Sequence, residues 1–109
     1  MLWRPAYAGL CTRNEAGVFE EIACASEALK VADVDLNKHY QNLLRQVDPN
    51  QKKVLIQSQR AWLASVRAHV KFIYSLEGHG SSGRLVTTNY SEEQTRMRAK
   101  ELANWRVEK

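Results

Sequence analysis

The stretch DPNQ, Asp48 to Gln51, contains the sharpest helix boundary in the sequence. Asp48 can accept hydrogen bonds from the free N–H groups of a following helix, and Pro49 suits the first helical position because its missing N–H would be unpaired there. Gln51 can complete a capping box with Asp48. The stretch therefore predicts that one helix ends and the next begins within a single short turn.

The residues before this turn predict one long helix and one short helix. Apolar residues recur at steps of three and four, the spacing of one helical stripe over about five turns; they are Leu29, Ala32, Leu36, Tyr40, Leu43 and Val47. Ser26 is expected to cap this helix. Thr12 and Glu15 form an earlier capping-box pattern, which predicts a short N-terminal helix from about Asn14 to Cys24.

The residues after the turn predict two further helices. The first should run from about Pro49 to Leu76 with one apolar face, formed by Leu55, Trp62, Val66, Val70 and Ile73. Three glycines between Gly78 and Gly83 should end it and open an irregular loop to Asn89. A capping box at Ser91 to Gln94 should start the last helix.

The composition of the chain supports a single helical domain. The chain has 109 residues but only 5 Gly and 2 Pro, too few turn residues for a sheet of many strands. We therefore expect an all-α fold, an antiparallel helical bundle of three long helices plus the short N-terminal helix. Residues 1–10 are expected to be a flexible segment and residues 11–109 a single domain. The expected core residues are Leu36, Tyr40, Trp62, Val66, Val70 and Trp105.

Charge is distributed unevenly along the chain, whose formal net charge is +4. Six acids and two bases lie between Cys11 and Asn37, whereas seven bases and one acid lie between Lys38 and Lys71. This contrast predicts that neighbouring helices complement each other, for example by pairing Asp33 with Arg60. The bases are spread along a helix without clustered aromatic residues for stacking, which argues against a nucleic-acid partner.

No pattern of catalytic or metal-binding residues stands out. The three histidines, His39, His69 and His79, lack the close pairing that places two imidazoles on one metal. Asp33 and Asp35 point to different sides of a helix, so their spacing does not make them a catalytic carboxylate pair. We therefore expect no catalytic centre, no metal and no cofactor, and we expect the chain not to be an enzyme.

The glycine-rich loop is the expected binding surface, because loops on a rigid scaffold often carry function. Its candidate contact residues are His79, Ser81, Ser82 and Arg84. The stretch GHGSSG lacks the Gly-Lys-Ser/Thr sequence of a phosphate-binding loop, and neither serine has a nearby histidine to activate it. A binding role is therefore expected for this loop rather than a catalytic one.

Cys11 and Cys24 are the two cysteines of the chain. A continuous helix would hold them ~20 Å apart, whereas a disulfide needs Cα atoms within ~7 Å. A bridge therefore requires residues 11–14 to run back along a helix that begins near Glu15, and it could contribute ~3 kcal/mol. Two reduced, separately buried thiols in a cytosolic protein are the alternative.

Short motifs follow one another in a characteristic order along the chain. In the first half they are Cys11, Glu21-Ile22-Ala23-Cys24, Leu29, Asp33-Val34-Asp35-Leu36 and Tyr40. In the second half they are Gln59-Arg60-Ala61-Trp62-Leu63, Glu77-Gly78, Gly80-Ser81, Thr95, Arg98, Glu101 and Leu102. Together they resemble the small bacterial LprI-type family, whose namesake is a lysozyme inhibitor. The resemblance covers roughly Cys11 to Trp105, nearly the whole chain.

The resemblance implies an exported, helical, disulfide-stapled envelope protein without a catalytic centre, and it favours the Cys11–Cys24 bridge. The chain also departs from the family. Many members carry one cysteine soon after the motif at Gln59 to Trp62 and another before the last helical motif. This chain has Val70 and about Tyr90 in those places, and loss of both cysteines together is expected if they form one bridge.

The function implied by the resemblance is a non-catalytic exported module of the periplasm or cell envelope that binds a protein, such as lysozyme or another cell-wall hydrolase. Animal lysozymes are strongly basic, so the net positive charge of this chain opposes that pairing unless the acidic first third makes the contact. A different target, or an acidic partner, fits the charge better. The alternative is an antidote, immunity or adaptor protein of the cytoplasm or periplasm that binds its partner, such as a toxin, through the bundle.

Two features of the chain bear on its compartment. No segment approaches the ~18 apolar residues that a membrane span requires. The triplet Ala6-Tyr7-Ala8 has the form of a signal-peptidase site, yet no long apolar stretch precedes it. Either a leader is missing from this sequence or the match is accidental.

Overall fold

The computed structural model of the protein describes residues 17–77 and 80–108. This part of the chain forms three helices and no strand: α1 (Val18–Gln46), α2 (Pro49–Leu76) and α3 (Ser81–Asn104). The predicted all-α fold with three long helices is therefore confirmed for the described residues.

The turn between α1 and α2 forms as its sequence predicts. Pro49 is the first residue of α2 and Asp48 is its N-cap. The N–H of Gln51 donates to Asp48 Oδ1 at 2.7 Å, and the N–H of Asp48 donates to Gln51 Oε1 at 3.0 Å. Because these side chains satisfy otherwise free backbone donors, the capping box fixes where α2 begins.

α1 is one continuous helix, so the predicted short helix ending at Cys24 is wrong. The chain stays helical through Cys24 and Ser26, and the residues before Gly17 lie outside the described part. No glycine or proline interrupts the sequence around Ser26, and the apolar stripe continues backwards through the buried Ile22 and Ala25. Burial of this stripe favours a continuous helix over a cap at Ser26.

α3 begins at Ser81, so the prediction of a long irregular loop is also wrong. Residues 77–80 connect α2 to α3, and of these Gly78 and His79 lie outside the described part. The capping-box pattern at Ser91 to Gln94 does not start a helix, because these residues already lie in the middle of α3.

Gly83 serves helix packing rather than a turn. It is buried in the first turn of α3, where an added Cβ atom would lie 3.0 Å from two carbons of the Tyr74 ring. A side chain at this position would push the two helices apart. Glycine therefore allows α3 to approach the end of α2 closely.

α3 lies between α1 and α2. It packs along α1 and, more lightly, along α2, whereas α1 and α2 have little contact with each other. α2 and α3 are antiparallel, since Gln59 lies beside Arg98 and Tyr74 lies beside Gly83. The molecule measures 52 × 35 × 14 Å, so it is flat, and the outer side of α2 forms one edge. The predicted complementary contact between the first two long helices is therefore not made.

The main core joins α1 to α3 and includes a few side chains of α2. Its buried residues are Leu36, Leu43, Ala99 and Leu102, and the half-buried residues packed against them are Tyr40, Leu55, Trp62 and Val107. Of the expected core residues, Leu36, Tyr40 and Trp62 lie in this cluster. Farther along α2, Val66 is buried and Val70 is half-buried.

Trp105 was expected in the core but is 45% exposed. α3 ends at Asn104, and Trp105 takes an extended conformation with φ −72° and ψ 137°. Trp105 therefore lies beyond the end of α3 and does not continue the buried side of that helix.

Candidate functional site

Arg98 is a buried charged residue between α2 and α3, only 7% exposed. Its Nε donates to Gln59 Oε1 and its Nη2 to Ser58 Oγ, each at 3.0 Å, and both acceptors belong to α2. Its Nη1 donates to Glu101 Oε1 at 3.1 Å, one turn farther along α3. Hydrogen bonds from a charged donor are stronger than neutral ones, so this side chain ties α3 to α2.

Two tryptophans flank the Arg98 guanidinium. Its central carbon lies 5.9 Å from the Trp62 ring centroid and 5.1 Å from the Trp105 ring centroid. A cation near an aromatic face contributes about 0.5–1 kcal/mol at exposed sites and more where water is excluded. Trp105 is thus positioned by Arg98 rather than by the apolar core. The Arg98 cluster is defined here as Arg98, Ser58, Gln59, Glu101, Trp62 and Trp105.

The polar groups of the Arg98 cluster bind one another and stabilise the fold. The cation of Arg98 is matched by the Glu101 carboxylate, and no buried side-chain nitrogen or oxygen of the described residues lacks a hydrogen-bond partner. An arginine that binds a ligand would instead present free donors to an open site. Because Gln59 and Trp62 also belong to the family-like motifs, those motifs build the scaffold at this point.

The predicted pair of Asp33 and Arg60 does not form. The two residues lie on α1 and α2, which α3 separates, and no ion pair among the described residues joins them. Arg98 instead makes the polar contact with α2, through Gln59, the neighbour of Arg60. Partial burial raises the pKa of the Asp33 carboxyl above its ordinary value.

A second polar contact joins α2 to α3 about three turns from the Arg98 cluster. His69 Nδ1 lies 2.9 Å from the Tyr90 hydroxyl, and the two rings meet edge to face at 81° with centroids 6.2 Å apart. Val70, which follows His69, and Tyr90 are the positions at which the family resemblance leads us to expect cysteines. The structure places these two positions on facing helices.

The candidate binding residues lie at the end of the α2–α3 hairpin. Ser82 and Arg84 are exposed and Ser81 is half-buried, all three in the first turn of α3. His79 lies outside the described residues. Ser81, Ser82 and Arg84 therefore project from a helix rather than from a loop, and the role of all four residues in binding stays a prediction.

A row of four exposed bases follows the outer side of α2: Lys53, Arg60, Arg67 and Lys71. Their steps of seven, seven and four residues keep them on one side of an α-helix, over about 27 Å at 1.5 Å per residue. Trp62 and Val66 lie on the opposite side, against α3. The row, termed the α2 ridge below, therefore points away from the body of the molecule.

Exposed apolar side chains flank the α2 ridge. Leu63, 39% exposed, lies three residues after Arg60 and four before Arg67, so it is a surface neighbour of both. Phe72 and Leu76 are exposed one turn apart near the end of α2. Arginine and exposed apolar side chains on one surface are features of protein-binding patches.

A shallow groove of about 510 Å³ lies where Trp105 faces the start of α2. Its lining residues are Asn50, Gln51, Val54, Leu55, Ser58 and Trp105. The lining is mainly apolar and contains no charged side chain. The hydroxyl in this lining, that of Ser58, accepts a hydrogen bond from Arg98.

The described ranges, 17–77 and 80–108, contain no group of three or more His, Cys, Asp or Glu side chains placed to hold a metal ion. No helix in these ranges is both long and apolar enough to cross a membrane.

Sequence reasoning missed the role of Arg98 and the existence of the ridge. Arg98 shares a buried side of α3 with Thr95, Ala99 and Leu102, and a single arginine within a buried stripe signals an internal polar contact. The bases of the ridge recur at seven-residue steps in the sequence. Their exposure could not be read there, because it depends on where α3 packs.

Comparison with known proteins identifies one family. The family model described as "Lysozyme inhibitor LprI" matches residues 11–102. No curated protein and no solved structure matches the chain.

Proposed function

The chain belongs to the LprI family of lysozyme inhibitors, and on that basis we propose that it is a non-catalytic protein-binding module that inhibits lysozyme or another cell-wall hydrolase. The match over residues 11–102 carries the proposal, because it spans nearly all of the chain. Inhibition needs no reactive group on the inhibitor. It needs a surface that occupies or blocks the substrate cleft of the enzyme.

The surface available for binding consists of side chains that the fold does not use. Arg98, Ser58 and Gln59 are occupied in joining α3 to α2, so their polar groups are not available to a partner. The α2 ridge, with Leu63, and the hairpin end, with Ser82 and Arg84, are exposed. These two regions support a binding function because they combine cationic, apolar and hydroxyl groups on rigid helices.

Exposed arginines suit the cleft of a glycan-cleaving hydrolase for a chemical reason. Most glycoside hydrolases cleave their substrates with a pair of carboxyl groups. A guanidinium can donate two parallel hydrogen bonds to one carboxylate. Arg60, Arg67 and Arg84 are therefore the side chains best suited to block such a cleft.

We also propose that the protein is exported to the periplasm or cell envelope and that Cys11 and Cys24 form a disulfide. Cys24 is 3% exposed in α1, and Cys11 lies outside the described residues. Disulfides persist in oxidising compartments, so the bridge and export imply each other. A thiol count on unfolded protein purified without reductant tests both, and two reactive thiols would contradict them.

The inhibition itself is tested by the rate at which purified hydrolases clear a suspension of bacterial cell walls. A panel of hydrolases with acidic and basic net charge is assayed with increasing amounts of the intact protein. We expect the clearing rate of at least one hydrolase to fall until the enzyme is saturated at a fixed molar ratio. Unchanged rates for the whole panel, with no binding, would contradict the proposal.

A further inference from the structure

We propose that the α2 ridge is the surface through which this chain binds its hydrolase, and that the hydrolase presents an acidic surface to it. The inference rests on the proposed function, which leaves the contact surface and the charge class of the partner open. It concerns one edge of the flat molecule, formed by Lys53, Arg60, Arg67 and Lys71.

The α2 ridge carries positive charge that the fold does not neutralise. Its four bases are exposed, and none forms an ion pair or hydrogen bond with the described residues. α2 contains no acidic residue. Successive bases are about 6–10.5 Å apart along the helix axis, which is comparable to the Debye length of about 10 Å at 0.1 M salt. Their fields therefore add.

The positive charge of several other basic residues is partly or fully neutralised by a nearby carboxylate. Arg98 is buried and pairs with Glu101. Arg96 lies 3.2 Å from Glu92 on α3, and Lys30 lies 3.5 Å from Glu27 on α1. Other exposed bases, such as Lys38, Lys100 and Arg106, also lack an ion pair among the described residues. The ridge differs because its four bases form one row on a helix that contains no acidic residue.

Such a surface selects its partner by charge. A strongly basic lysozyme is repelled by it, whereas an acidic enzyme is attracted. Electrostatic steering raises association rates by about 10- to 1,000-fold and disfavours partners of like charge. The class of partner that fits is a cell-wall hydrolase whose contact surface is acidic, its catalytic carboxyl groups included.

The side chains around the ridge favour a folded protein over a nucleic acid or a membrane. Leu63 lies between Arg60 and Arg67, and an apolar centre flanked by arginine is typical of protein interfaces. Trp62 and His69 contact α3, which leaves Phe72 as the large exposed aromatic side chain beside the ridge. Single-stranded nucleic acid is bound by several aromatic rings on which successive nucleobases stack. The large exposed apolar side chains beside the ridge are Leu63 and, in the last turn of α2, Phe72 and Leu76. Ala61, Ala64 and Ala68 lie among the basic residues, so no continuous apolar stripe for a lipid surface runs along the ridge.

The ridge is held in place before any partner arrives. Arg98 binds Ser58 and Gln59 from α3, and His69 contacts Tyr90. These two contacts brace α2 at both ends of the ridge. A surface that is already ordered loses less conformational entropy on association, which favours tight binding.

The test compares two full-length variants that have the same net charge. The ridge variant carries Lys53→Gln, Arg60→Gln, Arg67→Gln and Lys71→Gln. The control variant carries the same change at four exposed bases elsewhere: Lys38→Gln, Arg45→Gln, Lys100→Gln and Arg106→Gln. Each removes four positive charges from a chain of formal net charge +4, so a general effect of charge is equal in both. Circular dichroism checks that both variants fold.

Three purified proteins serve as probes in the binding and cell-wall clearing assays. They are an acidic bacterial muramidase, a basic animal-type lysozyme, and serum albumin as an acidic protein without a glycan cleft. We expect the wild type and the control variant to bind the muramidase about tenfold or more tightly than the lysozyme at low salt. The ridge variant should lose about tenfold or more of its affinity for the muramidase, and albumin should bind weakly to all three chains.

Three results would overturn the inference. If the ridge variant binds the muramidase as tightly as the wild type does, or if the control variant loses as much affinity as the ridge variant, the ridge is not the binding surface. If the wild type binds the basic lysozyme more tightly than the muramidase, the partner is not an acidic hydrolase. If the wild type binds albumin, a DNA duplex or anionic phospholipid vesicles through the ridge as tightly as it binds the muramidase, the ridge is not specific for a hydrolase.

Failure of the proposed function gives a different pattern. Inhibition that survives in the ridge variant supports the function and contradicts the ridge. Ridge-dependent binding of the muramidase without slower cell-wall clearing supports the ridge and contradicts inhibition. If the wild type neither binds nor slows either enzyme, both proposals are wrong.

Discussion

The two sides of α3 are joined to their neighbours by different interactions. Toward α1, most of the buried residues are small or aliphatic and allow close packing, among them Ala32, Leu36, Leu43, Ala99 and Leu102, although Glu27 of α1 is also buried. Toward α2, the described contacts are largely polar, between Arg98 and Gln59 and between His69 and Tyr90. Only Val66 is fully buried among the residues of α2.

This difference suggests a division of roles between the two interfaces. Burial of apolar surface stabilises α1 against α3 without demanding a particular geometry. Hydrogen bonds and cation–π contacts are directional, so they fix the position of α2 although it buries little surface. A helix that buries little keeps most of its surface for a partner. The following changes test this division, beginning with the largest expected effect.

Leu102→Ala should destabilise the protein most, because Leu102 is 1% exposed in the core between α1 and α3. The lost burial and the cavity should cost about 2–5 kcal/mol, measured by urea unfolding. Met97→Ala on the exposed side of the same helix is the control and should change the free energy of unfolding by less than about 0.5 kcal/mol. Equal effects of both changes would mean that this core does not hold α3.

Arg98→Met should cost about 1.5–3 kcal/mol, because it removes charge-assisted hydrogen bonds but keeps much of the side-chain volume. Amide hydrogen exchange should become faster in α2 than in α1, since Arg98 joins α3 to α2. Arg98→Lys should restore little, because an ammonium group cannot reproduce the planar fork or its stacking on Trp62 and Trp105.

Arg96→Met provides the matched control for Arg98. Arg96 pairs with Glu92 on the surface of the same helix, and an exposed pair of this kind contributes about 0.2–1 kcal/mol. Faster exchange throughout α1 and α2 after Arg98→Met would show that the two interfaces do not respond separately.

The sequence predicted the features of the fold that depend on neighbouring residues. The Asp48–Gln51 capping box and the apolar stripe through Leu36 involve residues at most a few turns apart, so their physics is local. The order of packing is not local. Nothing in the charge of α1 and α2 indicated that α3 lies between them, and for that reason Asp33 was assigned the wrong partner, Arg60.

The candidate site shows the same limit. Ser81 and Ser82 were assigned to a loop because Gly78, Gly80 and Gly83 resemble helix breakers. Gly83 is instead required where α3 meets Tyr74, and a glycine used for close packing cannot be told from a turn glycine without the facing helix.

Gly83→Ala tests whether α2 and α3 depend on this close contact. The new Cβ would lie 3.0 Å from the Tyr74 ring, and overpacking usually costs about 1–3 kcal/mol. The better helix propensity of alanine offsets up to about 1 kcal/mol of this cost. We therefore expect the free energy of unfolding, measured by heat or urea, to fall by about 1 kcal/mol or somewhat more. Gly80→Ala, with no atom within 4 Å, is the control, and a stabilised Gly83→Ala protein would contradict the prediction.

Asp48→Ala should cost about 1 kcal/mol by removing the cap of α2. Because α2 has few buried residues to compensate, hydrogen exchange should quicken first in its opening turn. Asp48→Asn keeps an acceptor for the Gln51 N–H and should retain most of the stability. If both changes have the same effect, the hydrogen bond at 2.7 Å is not what stabilises this end.

Asp33→Asn should change the free energy of unfolding least. The sign of the change shows whether the Asp33 carboxyl is partly buried without Arg60 or forms a salt bridge with it. Partial burial raises the pKa of the Asp33 carboxyl above 3.8, so the folded state holds this proton more tightly than the unfolded chain. The stability from this group is present below pH 3.8 and lost as pH rises through the folded pKa. Asparagine does not ionise, so at pH 7 the variant should be slightly more stable, by less than about 0.5 kcal/mol for so exposed a site.

The gain from Asp33→Asn should disappear as the pH falls below 3.8, where the wild-type carboxyl is also neutral in the unfolded chain. Glu93→Gln, at an exposed position of α3, controls for the loss of one negative charge from a basic protein. A salt bridge to Arg60 would lower the pKa of Asp33 and reverse the sign, making Asp33→Asn less stable at pH 7. Unfolding curves at pH 7 and pH 3 therefore decide whether α3 keeps the acidic side of α1 away from the ridge.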